Sequence, residues 1–133
     1  NYASSLNSGA DFAMTDFSIQ TPGGFSDPAL HTTHDYTNGA SPIAMLKTPI
    51  RIADNTTLSY NEVVIVEPGD PGSVFGDSNF WDYVVVEGSL DGITWLPVDP
   101  GIDARSDPSW ENSFYSGSPA PADSHFAPPS SVR

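Results

Sequence analysis

The stretch Trp81-Asp82-Tyr83-Val84-Val85-Val86-Glu87-Gly88-Ser89-Leu90-Asp91-Gly92-Ile93-Thr94-Trp95-Leu96-Pro97-Val98 decides the fold class of this chain. From Asp82 to Glu87 the residues Tyr83, Val85 and Glu87 alternate with Asp82, Val84 and Val86, the period of a β-strand. Leu90-Asp91-Gly92-Ile93 then turns the chain, because an Asp-Gly pair reaches positive φ at little steric cost. Thr94 to Val98 returns as a second strand. The expectation is a β-hairpin over Asp82–Val98 with Asp91-Gly92 at or next to its tip and Trp95 largely buried, as large aromatics usually are.

Outward from the hairpin, the pattern stays β. Thr57 to Glu67 is dense in β-branched residues, and Val63 to Val66 form a continuous apolar run, so a central strand is expected there. Ile43 to Thr48 reads as a further strand ending at Pro49. Asp11–Met14 and Asp16–Gln20 alternate as one or two edge strands, followed by the turn Thr21-Pro22-Gly23-Gly24 and a long loop over 25–42. Pro68-Gly69-Asp70-Pro71-Gly72 is a turn leading into a surface loop from Ser73 to Phe80. Thirteen Pro and eleven Gly in 133 residues leave no stretch resembling an amphipathic helix of normal length. Past Asp99, Pro108, Pro119, Pro121, Pro128 and Pro129 forbid a regular ladder. The length suits one domain, expected as a β-module over residues 1–100 with a loop or linker over 101–133. No internal repeat, collagenous period or heptad is present.

Seventeen acids against four bases give a net charge of −13, which repels phosphate backbones and anionic lipid and argues against nucleic acid as a partner. No apolar run reaches the roughly 20 residues of a membrane-spanning helix. Without cysteine, disulfides, thiolate catalysis and Cys-based metal sites are excluded. Heavy use of Ser, Thr, Asn, Asp and Gly beside a single lysine, Lys47, suggests an exported, extracellular or cell-surface bacterial protein. The chain opens without an initiator Met or a basic leader, as a processed or excised segment would.

Thirteen of the acids are Asp, which suits loops and oxygen-only cation sites. Asp27, Glu67, Asp70, Asp77 and Asp82 are the candidate calcium ligands, because carboxylates gathered on folding repel unless a cation compensates. The plainer alternative is a solvated acidic surface. His31 and His34 followed by Asp35 are the one cluster of zinc-ligand types, but they lack the helix and base of a zinc protease and suit backbone-bonded loop histidines better. No nucleophile elbow or phosphate-binding loop is present, and paired carboxylates are too abundant to single out a glycosidase pair, so no catalytic site is expected. Phe80, Trp81 and Trp110 are candidate ligand-binding residues, since a pyranose offers an apolar C–H face to an aromatic ring; the competing reading places Trp81 and Trp95 in the core.

Three segments taken together, Ala44-Met45-Leu46-Lys47-Thr48-Pro49-Ile50-Arg51-Ile52, Thr57-Leu58-Ser59-Tyr60 and the hairpin Trp81–Val98, carry a family likeness. The chain resembles the MAM-like jelly-roll modules of secreted bacterial multidomain proteins, including those beside immune-inhibitor-A-type metalloproteases and in Bacteroidetes surface proteins exported by type IX secretion. The resemblance covers roughly residues 10–100. It implies an all-β fold, a two-sheet antiparallel jelly-roll sandwich with a Pro/Ser-rich irregular C-terminal segment, and a non-catalytic module that in several relatives holds a structural calcium ion. The family's closing strand, with a Gly-Trp-x-Ile-Asp-like motif, is not found before Arg133, so that strand is expected downstream in the parent protein. The expected function is glycan or protein binding, that is adhesion, on a secreted or surface protein. The alternatives are a structural spacer, or an accessory domain of a protease or glycoside hydrolase that contacts other domains of the same parent chain.

Overall fold

The computed structural model describes residues 2–22, 25–32, 36–37 and 39–116. Among these residues the chain is β-rich, with three two-stranded antiparallel sheets, one 3-10 turn and one α-helix. It divides into two compact units, one holding the residues up to Asn61 and the other spanning Glu62–Ser118.

In the first unit, strands β1 (Phe12–Thr15), β2 (Phe17–Gln20), β3 (Ala29–Thr32) and β4 (Ile43–Leu46) form two ladders. β1 pairs with β4 and β2 with β3. Asp16 sits between β1 and β2 at φ 58°, a left-handed conformation that Asp tolerates better than most side chains. That one residue shifts the alternation, so Phe12 and Met14 before it and Phe17 and Ile19 after it all fall on half-buried positions. The pairs Phe12↔Leu46 and Met14↔Ala44 carry the half-buried side of their ladder. β3 lies within the segment 25–42 expected to be a loop. Ala-Leu-His-Thr has weak strand propensity of its own, and the pairing of Ile19 with Leu30 and Phe17 with Thr32 overrides it.

The second unit contains the hairpin, in reduced form. Only β5 (Glu87–Gly88) and β6 (Leu96–Pro97) form a ladder. Val98 N–H extends it by donating to Val86 O at 2.8 Å, and Val84 and Ile102 then exchange two bonds of 2.9 Å. Val86 stands opposite Val98 but Val84 opposite Ile102, so two additional residues on the returning side bulge out at Asp99-Pro100-Gly101, where Pro100 has no N–H to offer. All four ladder residues are exposed and the hairpin stands off the core. Trp95 goes with it at 42 % exposure, which corrects the expectation that it is buried.

The core of this unit is built from Val64, Ala104 and Trp110, with Val63, Ile65, Val66, Ile102 and Phe114 packed on it. Of the apolar run Val63–Val66, expected to be buried, Val64 is buried and Val63, Ile65 and Val66 are partly buried. The run is not part of a ladder strand, however, and a 3-10 turn and a helix contribute Ala104, Trp110 and Phe114 to its surroundings, beside Ile102. Ala104–Ser106 forms a 3-10 turn and α1 runs over Pro108–Tyr115. This corrects the expectation of irregular chain for residues 101–116; residues 117–133 lie outside the described residues. Asp107 caps the helix, its carboxylate accepting from Ser109 N–H at 2.7 Å and from the Ser109 hydroxyl at 2.6 Å. Pro108 occupies the first turn, where a missing N–H costs nothing, and Trp110 and Phe114, four residues apart, turn inward.

Candidate functional site

A dense polar constellation lies in the second unit, where the loop after Val66 meets the 3-10 turn. Asp70-Pro71-Gly72-Ser73 is a tight turn of type II character, with Gly72 at φ 87° and Ser73 N–H donating to Asp70 O at 2.9 Å. Asp77 organises the next turn by accepting from Val74 N–H at 2.9 Å. Asp70 N–H donates to Asn79 O at 2.9 Å and closes the loop on itself.

Arg105 fixes this loop. Its guanidinium donates to Asp70 O at 2.7 Å, to Ser73 O and Oγ at 3.2 Å each, and to the Asp103 carboxylate, with an ion pair of 2.7 Å. The group also lies over the Phe80 ring, 5.3 Å from its centroid. Asp103 is only 2 % exposed, and it accepts in addition from Gly69 N–H at 3.0 Å and Arg105 N–H at 2.9 Å. Burial pushes the Asp103 carboxyl up, but the donors from Arg105 and Gly69 outweigh it and hold the pKa below the usual carboxylate value. The same hydrogen bonds to Asp103 raise the Arg105 pKa against its own partial burial. Gly69 has no room for a side chain: a Cβ there would meet Ser73 Oγ, and Arg105 Nη2 and Asn79 O at 2.9 Å each.

Beside this knot Phe75, Phe80 and Tyr83 form an aromatic cluster, with Phe75 edge-on to Tyr83 at 4.9 Å between centroids. A shallow cleft of about 430 Å³ runs over Phe75, Phe80, Pro100, Ile102 and Arg105. Next to it Trp81 is 50 % exposed, its indole N–H reaching Asp70 Oδ1 at 3.4 Å, while Asn79 Nδ2 reaches Asp70 Oδ2 at 3.3 Å.

The residues expected to act together are thus only partly assembled. Asp70 and Asp77 share the loop, but each carboxylate has donors of its own. Glu67 and Asp82 meet through the backbone, Asp82 N–H donating to Glu67 O at 3.4 Å. Asp27 belongs to the other unit and accepts from the Ser26 hydroxyl at 3.0 Å. Among the described residues no three acids or histidines form a group able to hold a metal ion. His31 stands on β3, whereas His34 and Asp35 lie outside the described residues. Phe80 and Trp81 do come together with Asp70. Trp110, expected as an open platform, is 5 % exposed and is a core residue instead, because α1 turns it inward.

Sequence reasoning missed Asp103 and Arg105. The available signal was that Arg105 is the only Lys or Arg between Glu62 and Ser118, a stretch otherwise acidic. A lone cation in such a field collects whichever acceptors folding brings near. No protein-family model matches this chain, and comparison with curated proteins and with solved structures finds no similar one.

Proposed function

We propose that this chain is a non-catalytic binding module of a secreted or cell-surface protein, and that its ligand is a glycan held at Trp81, Asp70 and Asn79. The observation that carries this reading is the exposed indole of Trp81 beside a carboxylate and a carboxamide, on a loop that Arg105 and Asp103 hold rigid. An indole face takes the apolar C–H face of a sugar, while Asp70 and Asn79 supply an acceptor and a donor for neighbouring hydroxyls. Because the loop is already fixed, little ordering entropy opposes binding. The β-rich architecture is compatible with the all-β class that the MAM-like resemblance implies, and a module of that kind suits the same role.

Affinity electrophoresis of the full chain through gels containing soluble polysaccharides tests the reading. Retardation by at least one polysaccharide is expected, with Trp81→Ala weakening it about tenfold, or about 1.4 kcal/mol, and Trp95→Ala leaving it unchanged. Equal mobility of wild type and Trp81→Ala in every gel would remove the glycan reading. A protein ligand is the second reading, favoured by the hairpin: Leu90, Ile93, Leu96 and Val98 are 102 %, 84 %, 65 % and 60 % exposed. So apolar a tip suits a hydrophobic contact better than open water.

A further inference from the structure

The carbonyl oxygen of Asp70 accepts three hydrogen bonds: from Arg105 Nη1 at 2.7 Å, from the Ser73 hydroxyl at 2.8 Å and from Ser73 N–H at 2.9 Å. One of these is the ordinary bond of a turn. The other two, one of them from a guanidinium, make the site a hole of converging donors around a peptide oxygen. The peptide bond concerned is Asp70–Pro71. Two features of this bond are chemical. The Pro nitrogen is a tertiary amide nitrogen, which leaves more readily than a secondary one, and an Asp carboxylate can close a five-membered ring on its own carbonyl carbon. Asp70 and Pro71 are both exposed, and the two donors recorded on the Asp70 carboxylate are long, at 3.3 and 3.4 Å, so it is loosely tethered.

We infer that Asp70–Pro71 is a self-cleavage site, in which the Asp70 carboxylate is the nucleophile and the Arg105 and Ser73 donors form the oxyanion hole. One carboxylate oxygen attacks the Asp70 carbonyl carbon, and the carbonyl electron pair moves onto the oxygen that already faces three donors. The tetrahedral centre collapses as the C–N bond breaks. The Pro71 nitrogen takes a proton from hydronium and becomes a new amino terminus. The cyclic anhydride left on Asp70 is opened by water to two carboxyl groups, so one water is consumed and nothing is oxidised or reduced. Asp103 keeps the guanidinium in place through the 2.7 Å ion pair.

The chain carries its own reference bonds, Asp27–Pro28, Asp99–Pro100 and Asp107–Pro108. At Asp107 the carbonyl accepts two neutral main-chain N–H groups, from Trp110 at 3.0 Å and Glu111 at 3.1 Å, and the carboxylate is held short by Ser109 at 2.7 and 2.6 Å. The experiment incubates the full chain at the lowest pH at which its circular dichroism matches that at neutral pH, with and without denaturing urea, and follows scission at all four bonds by intact-mass spectrometry. In the folded chain Asp70–Pro71 is expected to break about tenfold faster than each reference bond, or more, and in urea the four rates are expected to converge. Ser73→Ala and Arg105→Lys should each reduce the folded-state advantage. Should Arg105→Lys fail to fold, Ser73→Ala alone carries that comparison. Scission of Asp70–Pro71 in the folded chain no faster than the reference bonds, or equally favoured in urea, overturns the inference.

Discussion

A carboxylate only 2 % exposed survives as an anion only if donors replace the water it has lost, and Asp103 takes them from Arg105 and from Gly69 N–H. Asp103→Asn removes the charge while keeping the shape, and is expected to cost about 2–3 kcal/mol in urea unfolding. Since folding lowers the Asp103 pKa, its contribution is complete above the unfolded value of about 3.9 and disappears as pH falls through the lower folded value. The acid limb of the stability curve should accordingly be flatter in Asp103→Asn than in wild type. Asp91 is a second such acid, fully exposed at the hairpin tip. Main-chain N–H groups of Thr94 and Ile93, at 2.7 and 2.8 Å, and the Ser89 hydroxyl hold it down to about 2. An NMR titration of the Asp91 carboxyl should show a midpoint near that value, and Ser89→Ala should move it upward; an ordinary midpoint in wild type would mean the tip is not closed in solution. The Asp91 turn was legible because Asp-Gly fixes a local conformation, whereas the Asp103–Arg105 knot joins residues more than thirty positions from the loop they hold, a pairing that no local pattern reports.

Elements were legible in proportion to how locally they are determined. β1, β2 and β4 follow alternation and were expected within a residue or two, while β3 depends on its partner and was not. Helix α1 carried readable signals, an Asp cap, Pro in the first turn and aromatics four apart, but the surrounding Pro and Ser were read as breakers of a ladder. Its place in the core makes Trp110→Ala expensive, about 3–5 kcal/mol. Trp95→Ala, on the exposed hairpin, should cost clearly less, and urea midpoints of the two variants give the order directly. The glycines supply a sharper contrast. Gly92 sits at φ 72° with nothing within 4 Å of a Cβ built on it, so Gly92→Ala costs only backbone strain, about 1 kcal/mol. A Cβ on Gly101 would meet the Phe75 ring at 2.6 Å and Tyr83 at 3.1 Å. Gly101→Ala must displace the aromatic cluster and should lose about 1–3 kcal/mol, together with a change in the near-ultraviolet circular dichroism that Gly92→Ala does not show.

Over the whole chain, seventeen acids and four bases place like charges close together on folding, and self-repulsion of that kind weakens as salt screens it. The melting midpoint is therefore expected to rise with sodium chloride over the range in which the screening length falls from about 30 Å at 0.01 M to about 8 Å at 0.15 M. Divalent cations separate this diffuse effect from a built site. Calcium and magnesium at one concentration screen alike, but a site of oxygen ligands at calcium's longer distances binds calcium in preference, and a bound ion raises stability by mass action. Asp70 and Asp77 each have donors within their own turns that a cation would have to displace, and equal midpoints in the two cations are what surface acidity alone produces. A midpoint higher in calcium than in magnesium, rising with calcium concentration and reversed by chelator, would instead reveal the calcium site anticipated from the sequence at Asp27, Glu67, Asp70, Asp77 and Asp82. In that case Asp70→Asn and Asp77→Asn identify the ligands, since only loss of a coordinating carboxylate removes the difference between the two ions while leaving the response to sodium chloride in place.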